Sequence, residues 1–250
     1  MARGYLTLAV VGGFLLGADL LQRLVVAPLA WAFPAFRTRL MTFWMRAMAI
    51  DVLAILRVVG GVRIDDQAEI PGTRGVLVIS NHQSLLDIPI VVRAIVDSHA
   101  RIVTRRRYAK RIPLISFLLR LTRSPLVDSN TPLETQLASL AEVARTTEQP
   151  IVIFPEGHRS KDGRLRPFKR AGLGAILAAR PWSVYLVAVD GLWRAGKFVH
   201  LASSLSNLRG RVVSSGPIAW PGPGADAGAF IDEMERSLAA QLERIRAGEA

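Results

Sequence analysis

The chain has 250 residues, half of them hydrophobic, with a mean hydropathy of +0.29 and a formal charge of +12. It contains no cysteine, which excludes disulfides and thiolate metal sites. The length suits one α/β domain, or a domain of about 200 residues with an appendage. A sequence both apolar and basic fits an anionic membrane surface better than nucleic acid. No zinc-finger spacing, aromatic RNA-binding signature or helix-turn-helix is present, so nucleic acid is not an expected partner.

Tyr5 to Ala18 is apolar and uncharged, short of the roughly 20 residues a bilayer span needs. Asp19, Gln22 and Arg23 interrupt it, and the apolar pattern resumes from Leu24 to Phe36 around Pro28 and Pro34. A second apolar segment, Met41 to Val59, carries Arg46, Asp51 and Arg57, charges that are costly inside a bilayer. Residues 1–60 are therefore expected to form a membrane-docking pair of amphipathic helices packed together. A true span over residues 5–27 and a buried hairpin are the other readings. Gly60-Gly61 closes the region.

Residues 61–216 read as an α/β domain. Val62–Ile64 suits an edge strand, and Asp65–Gly75 a connector. Strands are expected at Val76–Ser80, Arg101–Thr104, Leu126–Val127, Ile151–Phe154 and Val184–Val189, with weaker ones near Phe198–Leu201 and Arg211–Ser214. Helices are expected at Asp87–Asp97, Leu114–Leu121, Leu133–Thr146 and Ala171–Ala179. This alternation implies a mostly parallel mixed sheet flanked by helices. Residues 217–250 read as a linker, Pro217–Gly224, and a solvated amphipathic helix, Phe230–Arg246.

Two clusters sit just past buried strands, where reacting groups collect in α/β folds. In the first, Val76–Ser80 runs into Asn81-His82, and Asp87 follows five residues after the histidine. A neutral imidazole there can act as general base, with a carboxylate fixing its tautomer. Ser84-x-x-Asp87 equally fits a capping box, although Pro89 then falls in the helix interior; with Asp87 as the cap, Pro89 lies in the tolerated first turn. In the second, Ile151–Phe154 runs into Pro155-Glu156-Gly157-His158-Arg159-Ser160, followed by Pro167-Phe168-Lys169. Glu156 can orient a hydroxylated substrate, Gly157 permits close backbone approach, and Arg159 can clamp a phosphate, with Lys169 as a further cation. The plainer reading pairs Glu156 with Arg159 in a solvated loop.

Asn81-His82-x4-Asp87, followed by Phe154-Pro155-Glu156-Gly157-x-Arg159-Ser160 and Pro167-Phe168-Lys169, closely resembles the glycerolipid acyltransferases, including the bacterial 1-acylglycerol-3-phosphate acyltransferases. The resemblance covers roughly residues 60–215. It implies that His82, assisted by Asp87, deprotonates a lysophospholipid hydroxyl, which attacks the thioester of acyl-CoA or acyl-carrier protein. No cofactor, metal or covalent enzyme intermediate is implied. It assigns acceptor binding to Glu156, Gly157 and Arg159, and implies association with the cytoplasmic face of a bacterial inner membrane. Backbone N–H groups of the helix after His82 are expected to receive the oxyanion.

Three departures bear on the acceptor. The family's phosphate-binding arginine after Pro125-Leu126-Val127-Asp128 is replaced by Ser129, so Arg123, Arg120 or the run Arg105-Arg106-Arg107 is the expected substitute. His158 replaces the usual hydroxyl residue, and the proline expected near Leu186 is absent. Two other classes remain: a metal-dependent hydrolase using His82, Asp87, Glu156 and His158, and a non-catalytic lipid-binding relative.

Overall fold

The computed structural model describes residues 2–195, 205 and 208–249. The expected strand near Phe198–Leu201 lies outside them, as does His200. A six-stranded sheet has the order β1-β10-β9-β3-β8-β5, formed by Arg63–Asp66, Arg209–Trp220, Trp182–Asp190, Val76–Ser80, Ile151–Ile153 and Arg101–Ile102. Every neighbouring pair is parallel except β9 with β10. Two small pairs flank it, β2 (Ile70–Pro71) with β4 (Ile95–Val96), and β6 (Thr104–Arg105) with β7 (Leu126–Val127).

Strand β3 is buried throughout because both neighbours are strands and both faces are covered. Alternation sends Val76 and Val78 into one core, shared with Met45, Ala49 and Leu56 of helix α3 (Arg37–Val58) and Ile90 and Val91 of helix α4 (Asp87–Ala94). Leu77 and Ile79 enter the other core, with Leu173 and Ile176 of the helix Arg170–Leu177 and Met234, Leu238 and Leu242 of the C-terminal helix Ala227–Ala247. The C-terminal helix is thus a structural wall of the sheet rather than a solvated appendage.

Other boundaries also shift. Helix α4 ends at Ala94 because the β-branched Ile95 and Val96 pair with β2. Pro217–Trp220, expected in a linker, completes β10; Pro217 falls where the register with β9 shifts between Ser215 and Ile218, and its missing N–H is tolerated there.

The N-terminal segment is one helix over Ala2–Ala32 rather than two apolar pieces, with a π-turn at Gln22–Val26 just before Pro28. Gln22 is fully buried, bonding the Leu114 carbonyl at 3.1 Å and accepting from Trp44 Nε1 at 2.8 Å. A polar residue that looked like an interruption therefore pins this helix to α3 and to the domain. Tyr5, Leu6, Leu16, Leu24, Trp31, Phe33 and Phe36 remain exposed.

Candidate active site

His82 lies two residues beyond the end of β3, where Asn81 fixes the strand spacing. The Asn81 amide donates to the Val189 carbonyl and accepts from the Val189 N–H, both at 2.8 Å, extending the β3–β9 ladder with a side chain. His82 Nδ1 sits 2.7 Å from Asp87 Oδ2. Asp87 is fully buried and also accepts from the Gln83 N–H at 2.6 Å, the Ser84 N–H at 2.8 Å and the Ser84 hydroxyl at 3.2 Å. Neither capping register is realised, because Leu86 holds the cap position of α4 and makes no side-chain cap bond; the Asp87 carboxylate instead ties down the turn before the helix and faces the imidazole. With Nδ1 facing Asp87, the lone pair sits on Nε2, which is the tautomer a general base needs.

The second cluster meets the first at the backbone of His82. Its N–H donates to Glu156 Oε1 at 2.6 Å, and its carbonyl accepts from the Ser160 N–H at 2.7 Å. The other Glu156 oxygen accepts from the Arg166 N–H at 2.9 Å, and the Phe154 ring lies 4.5 Å from the imidazole. Glu156 is buried and occupied by backbone donors, so it positions His82, and among the described residues it forms no ion pair with Arg159. Burial outweighs those two N–H groups and raises Glu156 to about 7.

The unfolded chain releases the Glu156 proton near the ordinary value of 4.5, the folded chain at about 7. Glu156 therefore lowers folding stability as pH rises between those values, and its contribution is level above them. The stability advantage of the wild type over Glu156→Gln is expected to be greatest near pH 4.5 and to shrink by roughly 3 kcal/mol toward pH 8. Urea unfolding of both proteins across this range measures it; a pH-independent difference would contradict the assignment.

Gly157 has φ +69, and a Cβ there would lie 3.0 Å from Lys169 Nζ. The left-handed backbone favours glycine, and a side chain here would press on the lysine that crosses the turn. Arg105 donates to the Gly157 carbonyl at 2.6 Å. Partial desolvation, then the charges of Arg105, Lys169 and Arg166, lower the pKa of the exposed His158. The Arg159 guanidinium is half-buried, and its Nη1 is buried with no partner among the described residues.

Of the expected substitutes for the missing motif arginine, Arg105 bonds the motif turn, whereas the Arg123 side chain forms no hydrogen bond there among the described residues. Arg123 lies near Arg101, which is level with Leu77 in the sheet. That is five residues before His82, about 16 Å along the strand direction. Position in the run Arg105-Arg106-Arg107 did not single out Arg105; its pairing through β6 with Val127 of β7 does. Of the N–H groups between His82 and α4, those of Gln83 and Ser84 bond the Asp87 carboxylate and that of Leu86 bonds the Ser84 hydroxyl. Among the described residues no three His, Cys, Asp or Glu side chains are grouped to hold an ion, and the alternative ligand set of His82, Asp87, Glu156 and His158 forms no such group.

Gln83 was not singled out in the sequence. It donates to Asp190 at 2.9 Å and to the Gly163 carbonyl at 3.2 Å, and accepts from the Leu192 N–H at 3.0 Å. Arg246 of the C-terminal helix grips the same Asp190 and Gly163 from outside, at 3.0 and 2.7 Å. The polar run after His82 carried the only signal, because it must find partners once buried.

A family model described as Acyltransferase matches residues 61–189, more than half of the chain, and the chain belongs to that family. A curated 1-acyl-sn-glycerol-3-phosphate acyltransferase from Cocos nucifera is 32% identical over 147 residues, covering 58% of this chain. The chain spans 44% of that relative's length. The solved structure of the 1-acyl-sn-glycerophosphate acyltransferase PlsC from Thermotoga maritima shares the fold, with a TM-score of 0.69, 19% identity, and coverage of 98% of this chain and 94% of that one.

Proposed function

We propose that the protein is a membrane-associated O-acyltransferase that moves a fatty acyl group from acyl-CoA or acyl-carrier protein to the free hydroxyl of 1-acylglycerol 3-phosphate or a closely related lysophospholipid. The observation that carries this reading is the junction at His82: its imidazole is oriented by Asp87 at 2.7 Å, and its peptide group is held between Glu156 and Ser160. His82 Nε2 takes the proton of the acceptor hydroxyl as its oxygen attacks the thioester carbonyl. Collapse of the tetrahedral intermediate forms the ester and breaks the carbon–sulfur bond, and the departing thiolate recovers the proton from the imidazolium. The buried charge of Asp87 favours that transient cation.

Arg159, Arg105 and Lys169 supply the positive charge for an acceptor phosphate around Gly157. Acceptor identity is tested by assaying the purified protein with each donor against lysophosphatidate and neutral lysolipids; turnover with neither donor on any acceptor would overturn the reading. Arg159→Ala is expected to raise the acceptor KM about tenfold or more and leave the donor KM within about twofold. Equal changes in both would remove Arg159 from acceptor binding. The exposed apolar side chains of Ala2–Ala32 support association with a membrane surface, which we place at the cytoplasmic side of a bacterial inner membrane.

A further inference from the structure

Three arginines at the β5 edge of the sheet carry charge that the fold does not compensate. Arg37 opens α3, directly after the end of the first helix and the turn that follows it, which expose Trp31, Phe33 and Phe36. Its guanidinium donates to the Leu121 carbonyl at 2.7 Å, beside the turn that carries Arg123. Arg101 opens β5, where desolvation and then the charges of Arg123 and Arg37 act on it. Arg101 Nε is buried without a partner, and so is Nδ1 of His99, a side chain only 7% exposed. Burial, then the charges of Arg101 and Arg37, push His99 down to about 4, so this imidazole is neutral near pH 7. Among the described residues, none of the three arginines pairs with a carboxylate. Like charges held together with buried, unmet donors are costly until an anion completes them.

We propose that Arg37, Arg101 and Arg123 form a dock for the phosphate of a membrane lipid headgroup, separate from the acceptor pocket. Guanidinium forks match phosphate oxygens two at a time, and partly dehydrated ones do so best. The neighbouring Trp31, Phe33 and Phe36 are side chains that settle at the depth of headgroups, so they bring the cluster to a bilayer's phosphate layer rather than to solvent. The distance from His82, about 16 Å along the strands, separates this group from the reacting hydroxyl. The dock rests on the membrane association proposed above but not on the chemistry, and binding is therefore measured apart from turnover.

The test is co-sedimentation with vesicles of phosphatidylcholine, alone or mixed with phosphatidylglycerol. The triple variant Arg37→Gln, Arg101→Gln, Arg123→Gln is expected to bind mixed vesicles about tenfold or more weakly than wild type. Its control is Arg63→Gln, Arg209→Gln, Arg211→Gln, which removes the same charge from the opposite, β1–β10 edge and should lose less than about threefold. Equal losses in the two triples, or none in the first, would overturn the dock in favour of net charge alone. Arg123→Gln by itself removes an exposed side chain with no hydrogen bond among the described residues. It should weaken binding about threefold or more, and it decides the matter if the triple variant does not fold. Inorganic phosphate or coenzyme A, added at matched ionic strength, should not release the wild type; release to the level of the triple variant would reassign the cluster to a soluble phosphate.

Discussion

Replacing His82 with alanine is expected to lower acyl transfer by about a thousandfold or more while the protein keeps its fold. The imidazole is 17% exposed, and among the described residues its side chain makes one hydrogen bond, to Asp87. The contacts that fix the turn belong to the His82 peptide group, whose N–H meets Glu156 and whose carbonyl meets the Ser160 N–H, and alanine retains both. The base is lost and the scaffold is not. Steady-state turnover, read beside a thermal melt, checks both halves. Substantial turnover in a folded variant would remove His82 from the chemistry.

Asp87→Asn is the second large effect, and it separates the two jobs of that carboxylate. An asparagine oxygen in place of Oδ2 can still accept from His82, Gln83 and Ser84, so the turn survives with weaker bonds. The negative charge that favours the imidazolium is gone, and kcat should fall by roughly a hundred- to ten-thousandfold with KM nearly unchanged. Asp87→Ala leaves those buried backbone donors unpaired as well, and should cost about 3 kcal/mol or more of folding stability. Urea unfolding with kinetics on both variants distinguishes them. Equal stability losses would mean that the amide does not take over the turn, and unchanged kcat in Asp87→Asn would make Asp87 purely structural.

The parts of this molecule legible in its sequence are those where local pattern and tertiary environment agree. Val76–Ser80 and Ile151–Ile153 are continuous apolar runs because strands cover them on both sides, and Leu133–Thr146 keeps helical spacing over its whole length. The two motifs were visible because polar residues directly follow buried strands. What stayed hidden depends on partners distant in the chain. Gln22 looks like a break in an apolar helix until Trp44 and the Leu114 carbonyl are beside it. Pro217 looks like a linker until the shifted register of β10 accommodates it. Glu156 reads in the sequence only as a group for substrate, and its bonds to the N–H groups of His82 and Arg166 are invisible there because they depend on residues distant in the chain. Arg123 and Arg105 are both plausible by composition, and only the pairing of β6 with β7 sends Arg105 to the Gly157 carbonyl.

The measurement that bears most directly on the account uses a labelled acyl donor. Purified protein in lipid vesicles is supplied with acyl-CoA or acyl-carrier protein labelled in the acyl chain, together with 1-acylglycerol 3-phosphate, and the lipid products are separated. The wild type is predicted to place the label in a diacylglycerol phosphate with at least one donor, and the His82→Ala protein to place none there. Equal labelling by both proteins would contradict a general-base role for His82, and no labelled lipid from the wild type with either donor would contradict the acyltransferase itself.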